Sequence, residues 1–241
     1  MRPPKFAVFA FCVVLSLQGA DQAAIIIDNF TGGSGDIDTN PGTGAPSQEV
    51  ETGLAGVLGG ARRTTVTEST SSSDNLRMRA VWNPPTGETA MSSDSGAAGA
   101  FELFYGSIGN ADLSTGQDGF EIVFTALDHG TGTSLIVNIT VVDGVVTAAS
   151  NSAINSPGAQ TLFMPFSGFT NPSSLSSADT IKIIIAQSAG TSADYTIDEI
   201  HTRDTPIIPE PATILLLGLG LAGLGLWARK RSTAPIRRRW C

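Results

Sequence analysis

Ser134-Leu135-Ile136-Val137-Asn138-Ile139-Thr140-Val141-Val142-Asp143-Gly144-Val145-Val146-Thr147-Ala148-Ala149 is the stretch on which the fold turns. A run of alternating, largely β-branched residues reaches Asp143-Gly144, and β-branched residues resume immediately after it. Period-two alternation marks a half-buried strand. An Asp-Gly pair between two such runs is the strongest short-range hairpin signal, because both central residues of a type I′ turn need positive φ. The segment therefore predicts a strand over 134–142, a turn centred on Asp143-Gly144 and a return strand over 145–149.

The same grammar extends in both directions. Ala24 to Ile27, Arg63 to Thr67, Leu76 to Trp82, Ala100 to Tyr105 and Phe120 to Leu127 are short apolar or alternating runs punctuated by Gly, Asn, Asp and Pro. Thr161 to Phe166, Ile181 to Ala186 and Tyr195 to His201 complete about ten strands. Outside the two ends no segment keeps a helical period for three turns. An all-β chain built this way predicts a single antiparallel β-sandwich over residues 25–204. Cys12 and Cys241 lie at the extremes of the chain, so this domain has no disulfide to staple it and must be held by burial alone.

Only 15% of the 241 residues are charged, against about a quarter in ordinary soluble domains. With 41% hydrophobic residues the chain is too apolar for disorder, and it is too poor in Lys and Glu for a coiled coil. The net charge of -8 hides an asymmetry. All 22 acidic residues lie between Asp21 and Glu210, where the only basic ones are Arg62, Arg63, Arg77, Arg79, Lys182 and Arg203, so this stretch carries -16. Such a surface repels nucleic acid, which is excluded as a partner, and repels anionic lipid and polymer unless divalent cations bridge them.

The ends read as addresses. Met1-Arg2-Pro3-Pro4-Lys5 followed by the uncharged run Phe6 to Leu17 is the pattern of a signal peptide over 1–24, with Ala20 and Ala24 as the alternative cleavage points. It implies passage through the secretion machinery. Residues 205–241 repeat the logic at the other end. Pro209-Glu210-Pro211 (209–211) precedes an uncharged stretch that predicts a transmembrane helix over 212–228, and 229–241 form a basic tail. Arg229, Lys230 and Arg231 place that tail on the cytoplasmic side, with the acidic domain outside. Gly218, Gly220, Gly223 and Gly225 would weaken a helix in water but are tolerated in lipid.

Signal peptide, one extracytoplasmic domain, a Pro-Glu-Pro tripeptide, a Leu/Gly-rich span and an Arg-rich end resemble the bacterial PEP-CTERM sorting architecture. The matching positions are Pro209, Glu210, Pro211 and Arg229 to Arg231. The resemblance implies recognition by a membrane enzyme, an exosortase, removal of the tail near the tripeptide, and a surface or biofilm-matrix fate beside exopolysaccharide. In the middle, Ile26-Ile27-Asp28-Asn29-Phe30, Leu58-Gly59-Gly60-Ala61-Arg62 and Tyr195-Thr196-Ile197-Asp198-Glu199-Ile200 resemble a jelly-roll of the galactose-binding type. That resemblance implies that the first and last strands lie together and bring Asp28 near Asp198.

Candidate sites are few. His129 and His201 are the only histidines, and there is no Gly-x-Ser-x-Gly elbow or His-x-x-x-His pair, so no catalytic residue is assigned. His129, before Gly130-Thr131-Gly132, reads as an exposed loop residue, and His201 as a surface residue closing the last strand. A sugar site on a sandwich needs an aromatic face with amides and carboxylates around it, for which Trp82, Phe104 and Tyr105 are the candidates; a core role is the competing reading for Trp82. Asp36-Ile37-Asp38-Thr39-Asn40 alternates oxygen ligands in a Gly-rich loop, but Pro41 stands where an EF-hand needs Gly. A looser calcium site would draw on Asp28, Asp36, Asp38 and Asp198, the alternative being a solvated acidic surface. No other cofactor is expected. The combined reading is a non-enzymatic exported surface or matrix protein held at the inner membrane until an exosortase acts. A glycan-binding module, a permanently anchored single-pass protein and, last, a secreted glycoside hydrolase are the competing readings.

Overall fold

In a computed structural model, residues 23–39, 45–69, 76–83, 86–130, 134–187 and 192–203 are described. Among them there is no α-helix, only 3-10 turns, and thirteen strands. These are β1 (Ile26–Asp28), β2 (Gly35–Asp38), β3 (Ser47–Thr52), β4 (Ala61–Glu68), β5 (Met78–Asn83), β6 (Glu88–Ser93) and β7 (Gly99–Tyr105). After them come β8 (Gly119–His129), β9 (Leu135–Asp143), β10 (Val146–Ile154), β11 (Gln160–Pro165), β12 (Thr180–Gln187) and β13 (Ala193–Arg203). All pairings are antiparallel. One sheet runs β11-β8-β13-β6-β5-β2, with β1 added along β13, and the other β10-β9-β12-β7-β4-β3.

The two sheets form a sandwich whose core is written in the alternation. Phe101, Leu103 and Tyr105 of β7, Ile181, Ile183 and Ile185 of β12, and Val137, Ile139 and Val141 of β9 line the inner face of the six-stranded sheet. Phe120, Ile122 and Phe124 of β8 with Tyr195, Ile197 and Ile200 of β13 face them from the other. The phase of burial changes along β8, from Phe124 to Leu127, and along β13, from Ile197 to Ile200. Register shifts between Thr196 and Ile197 and between Ile197 and Glu199 account for both, since an extra residue in a ladder flips the face that follows it.

All ten predicted strands are present, but three more accompany them. Gly-Asp-Ile-Asp in β2 and Ser-Gln-Glu-Val-Glu-Thr in β3 are the edge strands on one side of the sandwich. Edges are kept polar to discourage pairing with other chains, and that polarity hides them from a hydrophobic pattern. β6 is internal, yet its outward positions are Ala90 and Ser92, too small and polar to signal a strand. Asp36 and Asp38 therefore belong to a strand and not to the Gly-rich loop expected of them.

The β9–β10 hairpin forms with a turn one residue later than expected. Asp143 stays in the ladder opposite Val146, so Gly144 and Val145 are the central pair, and only Gly144 has positive φ, at 54°. Glycine first and a negative φ second is the II′ arrangement rather than I′. Asp179 Oδ2 accepts the Gly144 N–H at 2.7 Å and fixes the turn in that phase.

The first and last strands do lie together, with Ile26 opposite His201 and Asp28 opposite Ile200. The signal peptide, apart from its last two residues, and the sorting tail with its 212–228 span lie outside the described residues. Among the described residues no helix is long and apolar enough to cross a membrane.

Candidate functional site

Of the three aromatic candidates, Trp82 and Tyr105 are 2% and 0% exposed and present no face to solvent. Both belong to a polar knot between the sheets. Asp28 accepts hydrogen bonds from Arg62 Nη1 at 2.9 Å, from the Tyr105 hydroxyl at 3.1 Å and from the Phe30 N–H at 2.8 Å. The last of these holds Phe30 at a φ of 52°, a conformation unusual for a non-glycine residue. Arg62 also reaches Glu51 at 2.7 Å and lies between the Phe30 and Trp82 rings, 5.2 and 5.5 Å from their centroids. Burial pushes the Asp28 carboxyl above its ordinary range, with Arg62 and the other donors opposing it. Burial works against the Arg62 charge, but Asp28 and Glu51 outweigh it and leave its pKa raised. Burial, reinforced by Asp28, holds the Tyr105 hydroxyl well above its usual value. The knot ties β1 to β4 and β7 and is closed to solvent.

Phe104 is half-buried on the outer face of the six-stranded sheet, with the Arg63 guanidinium 4.4 Å from its ring centroid. Arg63 also pairs with Glu102 at 3.0 Å. A shallow hollow of about 230 Å³ between Val50, Arg63, Phe104 and Gly106 lies beside the ring.

Of the four candidate calcium ligands, Asp36 and Asp38 border one hollow on β2, and Asp28 and Asp198 are not among its lining residues. Asp28 is in the knot and Asp198 is the exposed extra residue of the β13 bulge, so strand pairing does not join the two carboxylates. Asp36 forms a two-pronged ion pair with Arg79, and Asp38 lies 3.5 Å from Arg77. The hydrogen bond from Arg79 holds the Asp36 carboxyl below its ordinary pKa. Among the described residues no three His, Cys, Asp or Glu side chains converge where a metal would sit.

His129 is not the loop residue expected: it ends β8, is 7% exposed and sets Nδ1 3.3 Å from the Gly130 carbonyl. His201 is 3.4 Å from Glu121 and 3.7 Å from Glu199, on a strand and largely covered.

A further concavity among the described residues was not anticipated. It crosses the outer face of the seven-stranded sheet. Its polar half, about 690 Å³, lies between Asp36, Asp38, Arg77, Arg79, Asp94 and Asp194. A less polar half of about 490 Å³ lies over Ala90, Ala126, Ala159 and Thr196, walled by Asp128. Ser92 and Asp194 border both, so the two hollows adjoin across these residues, and the groove is the two together. Register sets Asp36, Val81, Ala90, Thr196 and Ala126 in one row across β2, β5, β6, β13 and β8, and of these Asp36 lines the polar part and Ala90, Thr196 and Ala126 the other. Small side chains in the middle of that row leave the channel open. The only sequence signal was the Ala and Ser spacing of β6, which means nothing until its neighbours are known.

Residues 208–231 match the family model of the PEP-CTERM protein-sorting motif. The motif implies an exported protein, anchored in the membrane before processing by an exosortase. No curated protein sequence matches the chain. Among solved structures it is similar to the family 11 carbohydrate-binding module of the cellulosomal cellulase Lic26A-Cel5E of Clostridium thermocellum, with 12% identity, 77% of this chain and 97% of that chain covered, and a TM-score of 0.38. It is also similar to an agarase, AgWH50C, at 15% identity over 49% of this chain and 21% of that one, TM-score 0.38. The family 11 xylanase from Neocallimastix patriciarum is similar at 9% identity over 70% and 100%, TM-score 0.37. At this identity and superposition none of these likenesses bears on ligand or activity.

Proposed function

We propose that the chain is a non-enzymatic cell-surface or biofilm-matrix protein, exported through its signal peptide, held by the 212–228 span and released or transferred when an exosortase cuts near Pro209-Glu210-Pro211. The observation that carries this reading is the sorting motif at 208–231. Its order agrees with the physics of insertion: an apolar stretch just long enough for a thin bilayer, then Arg229-Lys230-Arg231 to keep the tail inside. The acidic domain outside is kept soluble and apart from anionic lipid by its charge.

The test is the intact mass of the native protein from fractionated cells and medium. Loss of everything after the Pro-Glu-Pro segment, with the protein outside the membrane, is the expected result. A tail that still ends at Cys241 in the membrane fraction would instead make this a permanently anchored protein.

A further inference from the structure

We propose that the groove over β2, β5, β6, β13 and β8 binds an extended polysaccharide bearing free amino groups; the choice of a polysaccharide rests on the surface or matrix reading above. Four strand spacings of about 4.8 Å give the groove a length of roughly 19 Å, suited to a short run of sugar units laid across the strands. Its middle is floored by Ala90, Thr196 and Ala126, which let a flat chain approach the sheet.

Charge selects the ligand. Asp36, Asp38, Asp94, Asp128 and Asp194 face two guanidinium groups, Arg77 and Arg79, a net of -3. Both arginines are already paired, to Asp38 and Asp36. Among the described residues Asp94, Asp128 and Asp194 have no cationic side chain within ion-pair distance. Asp128 and Asp194 are moreover directly opposite one another in the β8–β13 ladder. Like charges so placed destabilise a sheet, and a cation lying over them reverses the sign of that contribution.

The cation is not a caged metal, because no three ligating side chains converge among the described residues. An ammonium group needs only one or two carboxylates, and donates up to three hydrogen bonds. The backbone groups of β5, β6 and β13 in the middle of the groove are engaged in ladders on both sides, so a peptide cannot add there as a strand. Ser92 and Thr196 supply hydroxyls that suit a hydroxyl-rich chain. An anionic polysaccharide is repelled by the same field that attracts an amino-bearing one.

The experiment is titration calorimetry of the full chain in detergent with a soluble glucosamine oligosaccharide, its fully N-acetylated counterpart and oligolysine. Binding of the amino form, weak or absent binding of the acetylated form and of oligolysine, and no effect of EDTA are expected. The Asp128→Asn/Asp194→Asn double variant should bind on the order of tenfold more weakly, the scale of lost hydrogen bonds to charged groups. It should melt no lower than the parent, since a like-charge pair is gone. Ala90→Lys, which places its own ammonium in the floor, is the second variant should the first fold poorly, and should also block binding. Equal affinity for the acetylated chain or for oligolysine, abolition by EDTA, or indifference to both variants would each overturn the proposal. A trimmed extracellular protein that fails to bind would sink the ligand and leave the sorting reading intact; a binder that is never trimmed would do the reverse.

Discussion

Replacing Arg62 with Met is the most informative single change, because it removes one partner from a buried charge cluster while keeping much of the side-chain volume. Arg62 is 1% exposed and Asp28 0%. Deleting the guanidinium leaves Asp28 with the Tyr105 hydroxyl and Phe30 N–H as donors but no counter-charge, and strands Glu51, whose side chain is 11% exposed. Breaking a buried pair from one side costs about 3–5 kcal/mol. For a domain of this size that corresponds to a fall in Tm of roughly 6–20 °C. The loss should depend on pH in a defined sense. Burial already raises the folded pKa of Asp28 above its ordinary 3.8, so the native state binds the proton more readily than the unfolded chain. Stability from this group therefore declines as pH rises through the interval above 3.8. Without Arg62 the carboxyl rises further and the interval widens, so the variant's deficit should be largest near neutrality and shrink towards pH 4. Adding Asp28→Asn should restore a substantial part of the loss, since the amide oxygen still accepts the Phe30 N–H while the NH2, in the place of Oδ2, donates to the Tyr105 hydroxyl oxygen. Chemical denaturation of the parent and the two variants across pH measures all of this. A deficit below about 1 kcal/mol, or one independent of pH and unrelieved by the second substitution, would refute the account of the knot.

Three further outcomes are expected. Gly144→Ala should cost about 1 kcal/mol in a urea titration, because the turn needs positive φ there although a methyl group would meet nothing within 4 Å. Asp112, which accepts hydrogen bonds from the Thr115 hydroxyl and from the Ser114 and Thr115 N–H groups, is held down to a pKa of about 2. Its contribution to stability is complete above 3.8 and disappears as pH falls through about 2, and a carboxyl NMR titration midpoint near 3.8 would contradict this. Glu210→Ala should leave the tail uncut and the protein in the membrane fraction, read by the same mass measurement as the parent.

Most of the sandwich was legible because burial on one face imposes period two. Ile181-Lys182-Ile183-Ile184-Ile185 in β12 and Gly99 to Tyr105 in β7 put their buried residues where alternation placed them. The missed strands β2, β3 and β6 fail for two physical reasons: edges are selected for charge, and an outward row of Ala and Ser has no amphipathic signal. The candidate sites were less legible. Trp82 and Tyr105 are aromatic in either role, and only burial tells a binding platform from a core side chain.

What the sequence determined by itself is local or end-directed: the alternation that makes strands, the hairpin near Gly144, the acidic middle and the Pro-Glu-Pro segment with its apolar run and basic stop. Each depends on residues within a turn or a span of one another, so no partner has to be known. What only the tertiary structure decided is who meets whom. Asp28 finds Arg62 across 34 residues and Tyr105 across 77. Asp128 faces Asp194 because β13 inserts between β8 and β6, and the groove exists because that strand order sets small side chains from distant segments in one row. Strand order is settled by the packing of the whole core, a collective free energy that no short window of sequence contains.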